Sequence, residues 1–566
     1  MTFPLVEKGF VRMHDKLRLG VLTASAMLVY GNTLGNDFTF DDGYYILNNP
    51  AVIAGSLRVL LRPARNNVFR PVTIGSFTLN WAAGGAHAFG YHLVNLLLHA
   101  VVVLLLYAVL KKLLGAVAQG QTIAFATALL FAVHPIHTEA VASIVGRSEL
   151  LAAGFLLSAW LLHLEQKTIP GLLCFFLALL SKESAVVFIP LVIMGDFAGE
   201  KWQPRWRYIA FVALGMMYMG LFWTLEGGRW GEKTVVFLDN PLAILPTGLR
   251  ILNALRIGWK YIGLQIYPAT LSYDYSYNAI PLYSNWQHLW LAVVGTLGVL
   301  TAWFWTVWSR RWGWFLAGVI YLAGFAVTSN LFVPTGTIMA ERLTYFPSAG
   351  LCLLVTLIWI QLEKRRAPFG WTILSIIVVT LGMRTMVRNQ DWKNNFSLFS
   401  SGVRAVPTSA RAHRNLADEY VHLGQFELAR AEFQTALRIY PDYPEVLENY
   451  GQLEARRGHD AEARTLLEGA VLMTTRGSPD YAFMKVNLAA QLMKMGQSDE
   501  AMKLLNQVVE DWPAYSPAWS TRALICYRRG QTSAARSDAE TALRLDPGDS
   551  QARALLAALG DSGPGS

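Results

Sequence analysis

The chain has 566 residues, 53% hydrophobic and only 15% charged, with a formal net charge of +9. Soluble domains carry about 25% charged residues, so an ordinary soluble enzyme, a disordered chain and a fibre are all excluded. Residues 1–403 hold 30 Lys and Arg against 18 Asp and Glu, while residues 404–566 hold 18 against 21. The basic excess therefore belongs to an apolar part, and the weakly acidic remainder offers no nucleic-acid surface.

Apolar runs long enough to span a bilayer begin at Leu17. The first, 17–35, has no AxA-like cleavage site before Asn36 and reads as a retained signal anchor. Ten more are expected near 92–114, 121–136, 144–164, 168–182, 184–199, 207–225, 288–308, 313–332, 343–362 and 369–387. The fifth and sixth are short and share the turn Ser181-Lys182-Glu183.

Positive clusters fall at Lys8/Arg12/Lys16/Arg18, Lys111/Lys112, Lys201/Arg205/Arg207, Arg310/Arg311 and Lys364/Arg365/Arg366. Eleven spans place all five on the cytoplasmic side, as basic loop residues prefer. A twelfth span at 247–267 would break that pattern and carry Arg250, Arg256 and Lys260 into lipid. That segment is read as a helix in the outer interface. Loops 36–91, 134–143, 181–184, 226–287 and 333–342, and everything after Val387, then lie outside.

Beyond a linker at 389–409 the pattern changes. Gly424, Gly458, Gly496 and Gly530 recur at intervals of 34, 38 and 34. A 34-residue period with small residues at fixed offsets (Ala417, Ala429 and Ala436, then Pro441) marks tetratricopeptide repeats. Four repeats and a capping helix are expected over 410–560, with a groove suited to a peptide or protein segment. The fold class is all-α: a polytopic membrane bundle over 1–388, then an α-solenoid. Cys174, Cys352 and Cys526 allow no disulfide framework and no CxxC metal site.

Chemistry-bearing residues gather on the expected outer side. All three acids of the first loop, Asp37, Asp41 and Asp42, lie within Asn36-Asp37-Phe38-Thr39-Phe40-Asp41-Asp42. A carboxylate fixed at that surface can take a proton from an incoming hydroxyl, or merely cap a helix. His134-Pro135-Ile136-His137-Thr138-Glu139 offers cavity lining or, less naturally with Pro135 between the histidines, a metal site. Arg147 with Glu149, and Lys182 with Glu183, place charge in or beside spans, where it pairs or lines a cavity.

Arg256, Lys260, Lys182 and Arg342 are candidates for a phosphate. Asp274, Tyr275 and Glu341 are candidate substrate contacts. A divalent cation on Asp41, Asp42 and His137 is left open. There is no P-loop and no GxSxG elbow, so reactivity has to arrive in the substrate, for example as an activated lipid.

Several motifs in order carry a family resemblance. They are Phe40-Asp41-Asp42 with Tyr45-Ile46, Phe69-Arg70-Pro71, Gly90-Tyr91-His92 with Asn95 and His99, and His134 to Ala142. Gly146-Arg147-Ser148-Glu149, Leu180-Ser181-Lys182-Glu183, Asp274-Tyr275-Ser276 and Glu341 to Ser348 complete the set. Together with the order of membrane part then repeats, the chain resembles the transmembrane-and-TPR O-mannosyltransferase (TMTC) family, within the GT-C glycosyltransferase fold. The array of four repeats is shorter than is usual in animal members, and a short chain of this kind looks bacterial.

The resemblance implies a polyprenyl-phosphate sugar as donor and a Ser/Thr acceptor outside the cytosol. It also implies Asp41 or Asp42 as the base. The expected location is a bacterial inner membrane with the repeats in the periplasm, or an ER membrane with the repeats in the lumen. Two other classes compete: a non-catalytic scaffold whose repeats recruit a secretion or assembly partner, and a transporter. The scaffold leaves the outer-side acids and bases unexplained. The transporter would want paired interrupted helices in two matching halves.

Overall fold

The computed structural model describes residues 4–55, 69–115, 117–199, 202–225, 236–365 and 369–561. The parts of the two long loops at 56–68 and 226–235 lie outside that set. Among the described residues every regular element is helical. The chain falls into two compact units, Met1–Pro407 and Thr408–Ser566.

The first unit contains α1 (Pro4–Tyr30), α2 (Pro71–Gly84), α3 (Ala88–Leu113), α4 (Gly120–Ala132), α5 (Arg147–Leu164), α6 (Thr168–Ser181) and α7 (Phe188–Gly199). It continues with α8 (Arg205–Leu225), α9 (Thr247–Ile266), α10 (Trp290–Trp308), α11 (Trp312–Ala326), α12 (Ser348–Arg365), α13 (Phe369–Asp391) and α14 (Asn395–Ala405). Helices stand at all eleven expected positions, but not as eleven full spans. Among the described residues five apolar stretches are long enough to cross a bilayer: α3, Ile144–Leu164, α8, α10 and α13. A sixth is made of α4 and the segment Pro135–Val141, bent by 54° between them.

The shortening has a local cause. Polar residues at His134-Pro135 and at Ser181-Lys182-Glu183 break the apolar runs. Non-helical backbone is tolerated at membrane depth only where protein or a cavity surrounds it. Both breaks are buried or half-buried in the bundle.

Packing follows from side-chain size. Leu, Val, Ala and Phe of α1, α3–α7 and α11–α13 form one continuous core. Close crossings use glycine: a Cβ on Gly350 of α12 would lie 2.5 Å from the Ala317 carbonyl of α11. In contrast α10 buries none of its residues, leaving Leu291, Leu297, Trp305 and Trp308 exposed along its length. An apolar helix presented this way needs lipid around it.

Helix α9 is amphipathic, burying Arg250, Asn253, Ala254, Ile257, Tyr261 and Gln265 at helical spacing on one face. The stretch expected as a linker, 389–409, instead holds α14, which buries Leu398, Phe399, Ser401 and Gly402 and belongs to the first unit. Its Asn394 side chain caps the helix by accepting from Ser397 N–H at 2.9 Å.

The second unit is a run of antiparallel helix pairs: α15 (Ala410–His422) with α16 (Phe426–Ile439), α17 (Pro444–Arg456) with α18 (Asp460–Met473), α19 (Pro479–Lys494) with α20 (Ser498–Asp511), and α21 (Ser516–Arg528) with α22 (Thr532–Leu545). A last helix, α23 (Ser550–Asp561), follows. The periodic glycines are explained by their backbone. Gly424, Gly458, Gly496 and Gly530 all have φ between +71° and +82°, the left-handed conformation that ends the first helix of each pair. A 16-residue α19 and a longer turn before it account for the one interval of 38.

Candidate active site

Adjacent acids in the first loop have different surroundings. Asp42 has no exposed surface; its Oδ2 accepts from Thr39 N–H at 2.9 Å and its Oδ1 from Val145 N–H at 3.0 Å. It is an anchor that fastens the loop to the start of α5. Burial pushes its carboxyl up to about 7, with neighbouring Asp41 adding to the rise and the two N–H groups opposing it. That value would suit a general base, but both oxygens are occupied and neither faces open space. Asp41 is half-buried, and its charge is felt at Asp42, Tyr45 and Arg342. Of the two candidates, Asp41 is the one that keeps exposed surface.

Around Asp41 the fold gathers charges from four separate stretches. The Arg342 guanidinium pairs with Glu139, and the Arg342 N–H donates to Glu139 Oε2 at 2.8 Å. Gly146 lets the chain turn tightly over this stretch: a Cβ there would lie 2.7 Å from the Glu139 carbonyl oxygen. Lys182 pairs with Glu149. Arg70 grips Glu183 with two parallel bonds, Nε to Oε2 at 3.0 Å and Nη2 to Oε1 at 2.7 Å. Burial would raise the Glu183 carboxyl, but Arg70 and Lys182 bring it down to about 2. Burial likewise works against the charge on Arg342, and Glu139, Asp41 and Glu149 outweigh it. Asp41, Glu139, Glu149 and Glu183 thus face Arg70, Lys182 and Arg342 in one electrostatic cluster.

A cavity opens from this cluster. Glu149, Lys182, Ser184 and Thr328 supply its polar wall; Leu343, the residue after Arg342, and Phe346 supply apolar wall. Sharing Val187 with it is a groove of almost wholly apolar lining between α7 and α11, walled by Pro190, Met194, Trp303, Val319 and Leu322.

Other expected site residues are placed elsewhere. Arg147 does not line the cavity. It is fully buried, donating to Asn95 Oδ1 at 2.8 Å, Asn80 Oδ1 at 2.6 Å and the Tyr91 carbonyl at 2.9 Å, with its guanidinium 4.7 Å from the Phe77 ring centre. It pins α2 to α3. His134 is spent on the Gln265 carbonyl and Ile136 N–H, and His137 Nε2 lies 2.7 Å from Ser348 Oγ. Both oxygens of Asp42 and the Nε2 of His137 are thus directed at other partners.

Arg256 turns to the Pro281 carbonyl at 2.7 Å and stacks 4.5 Å over Tyr283. Lys260 lies 5.6 Å over the ring of Tyr275. Asp274, Tyr275 and Glu341 make a separate buried knot. Tyr275 Oη donates to Glu341 Oε1 at 2.7 Å, Asp274 Oδ2 accepts from Ser276 Oγ at 2.7 Å, and Arg388 lies 3.9 Å from Glu341. Burial raises the Glu341 carboxyl to about 7 in spite of Arg388.

Tetratricopeptide repeat family patterns match residues 403–482 and 492–559. Over 454 residues the chain is 31% identical to the protein O-mannosyl-transferase F38B6.6 of Caenorhabditis elegans, covering 77% of this chain and 64% of that one. The chain is homologous to the TMTC protein O-mannosyl-transferases. It is 27% identical to mouse TMTC3 over 91% of its own length and 62% of that protein, and 30% identical to human TMTC1 over 76% and 56%. It thus spans less than two thirds of the length of these TMTC relatives. With its long apolar helices, the chain is an integral membrane protein.

Arg70 of the cluster, and Tyr45, which feels the charges of Asp41, Arg70 and Arg342, were absent from the sequence-based candidates. Both lie in motifs that carry the TMTC resemblance, Phe69-Arg70-Pro71 and the Tyr45-Ile46 pair. Arg70 was identifiable as a cation in an outer loop, but its partner Glu183 is 113 residues away.

The anchoring role of Asp42 gives a first prediction. Asn at 42 keeps one acceptor and turns an NH2 toward a backbone N–H, so Asp42→Asn is expected to cost about 1–3 kcal/mol of stability. The pH dependence has a definite sign. The folded value, about 7, lies above the ordinary Asp value of about 3.9, so the folded state holds the proton longer. The stabilising contribution is full below about pH 4 and is lost as pH rises toward about 7. Unfolding temperature should fall across that window more steeply in the wild type than in Asp42→Asn. Equal slopes would refute the assignment.

Proposed function

We propose that the chain is a membrane glycosyltransferase that moves a sugar, a mannose on the precedent of its relatives' names, from a polyprenyl-phosphate donor to a hydroxyl of a protein. The observation that carries this reading is Asp41 beside Arg342, in a cluster that also holds Arg70 and Lys182, next to a cavity that shares Val187 with an apolar groove. One reactant of such a reaction is a phosphate on a long hydrocarbon chain, and the other is a hydroxyl that must lose a proton.

In this reading Lys182 and Arg342 receive the donor phosphate, and the groove between α7 and α11 receives the lipid chain. Asp41 takes the proton from the acceptor hydroxyl as its oxygen attacks the anomeric carbon. The bond from that carbon to the phosphate oxygen breaks, and polyprenyl phosphate leaves with the charge that the cations stabilise. Attack opposite the leaving phosphate inverts the anomeric centre. The reaction faces the extracytoplasmic side, in the positive-inside topology. The repeats hold the acceptor polypeptide near the membrane and raise its effective concentration.

The test is donor turnover in detergent. Wild-type protein with synthetic polyprenyl-phosphate mannose and a Ser/Thr-rich peptide is expected to release polyprenyl phosphate. Filling the groove with Ala323→Trp, beside Leu322, should raise the KM for a long-chain donor about 10-fold, a loss of about 1.4 kcal/mol in binding. A donor with a short chain should be unaffected. Absence of turnover and of binding across a panel of sugars would overturn the enzyme reading in favour of a scaffold.

A further inference from the structure

We infer that Asn395, the first residue of α14, is a positioning residue for Asp41; this rests on the reading of Asp41 as the base. Phe40, immediately before Asp41, has φ +50°, a left-handed backbone that a bulky side chain rarely adopts. Such a conformation persists only where the surroundings over-determine it. Here they do, and the hydrogen bond on Phe40 itself comes from the chain after α13.

Three hydrogen bonds dock the loop. The Asn36 side chain donates to the Asn389 carbonyl at 3.3 Å, Asp37 N–H to the Lys393 carbonyl at 2.9 Å, and Phe40 N–H to Asn395 Oδ1 at 2.8 Å. The last acts on the strained residue itself. The Phe40 ring is held by Tyr273, 5.2 Å away edge-on, and by Phe399 of α14 at 6.1 Å. Tyr273 in turn rests on Gly402, where a Cβ would fall 2.3 Å from its ring.

Asp41 therefore sits between two fixed points: Phe40, clamped by α14, and Asp42, bonded to Val145. Without the Asn395 acceptor, Phe40 is free to relax to negative φ, which re-aims the next side chain relative to Arg342. Asn395 itself bonds the backbone and does not reach the reacting atoms. A carboxylate displaced by about 1 Å from its working position costs up to roughly 100-fold in rate. The segment that sequence analysis assigned to a linker thus sets the direction of the base.

The experiment compares full-length wild type, Asn395→Ala and Asn395→Asp, the last of which keeps the acceptor. Asn395→Ala is expected to lower kcat roughly 10–100-fold with donor KM within about 2-fold. Asn395→Asp is expected to restore most of the rate. Gly402→Ala, which must displace Tyr273, is an independent route to the same loss of kcat. Hydrogen exchange of peptides covering 38–45 should quicken in Asn395→Ala whatever the donor. Wild-type kcat in Asn395→Ala, unchanged exchange at 38–45, or a failure of Asn395→Asp to recover activity would overturn the inference. A wild type inert toward every donor, with exchange still quickened by Asn395→Ala, would instead defeat the glycosyltransferase reading alone.

Discussion

Asp41→Asn is expected to reduce sugar transfer about 10²–10⁴-fold, the range typical for removing a general base. Donor affinity should persist, because Lys182 and Arg342 keep their pairing with Glu149 and Glu139. Folding should persist as well. The Asp41 carbonyl, which accepts from Tyr44 and Tyr45 N–H at 3.1 and 3.0 Å, is unchanged by the substitution. The decisive comparison is with Asp42→Asn. There the main loss is stability, and residual folded protein should turn over at a rate set by how far the loop has moved. Polyprenyl-phosphate release and unfolding temperature, measured on the same preparations, separate the two. Full activity in Asp41→Asn would remove it from the mechanism.

Arg147→Met should give the largest loss of stability. Methionine keeps an unbranched apolar stem but strands Asn95 Oδ1, Asn80 Oδ1 and the Tyr91 carbonyl, each a buried or part-buried acceptor. Such groups cost about 1–3 kcal/mol apiece when left unsatisfied, and little water enters this depth of the bundle to replace the donor. A loss of about 3 kcal/mol or more is expected, read as a lower unfolding temperature and less folded protein recovered from membranes. Arg147→Lys should recover only part, since an ammonium cannot match a planar fork. The loss would also reach the active site: α2, which Arg147 pins, begins at Pro71, next to Arg70. An unchanged unfolding temperature in Arg147→Met would refute this role.

Much of the architecture was legible before any coordinates. The repeat period followed from Gly424, Gly458, Gly496 and Gly530, because a left-handed helix end favours glycine and therefore leaves a mark in sequence. The outer-side motifs were legible for a similar reason: a charge beside an apolar run has few structural excuses. The number of full spans was less so. Hydropathy registers apolar length, but not the breaks at Pro135 and Lys182 that turn the chain inside the bundle.

The candidate site was legible as a set of residues, not as a set of roles. Asp41 and Asp42 are identical in type and adjacent in sequence, and only their surroundings tell the half-buried acid from the anchor. Arg147 was expected to line a cavity and Arg342 to receive a phosphate; Arg147 is consumed by neutral acceptors, and Arg342 is paired with Glu139. The Glu139–Arg342 and Arg70–Glu183 pairs join residues 203 and 113 positions apart.

By itself the sequence determined what is periodic or compositional: an apolar helical bundle, a repeat array, and an excess of charged residues in the segments between spans. Those properties follow from local rules of helix period, capping and hydropathy, which act over a few residues. The tertiary structure alone decided which charge meets which, that Asp42 is an anchor, and that α14 holds Phe40 in its strained conformation. Those outcomes depend on directions of individual hydrogen bonds between distant segments, and no local pattern encodes them.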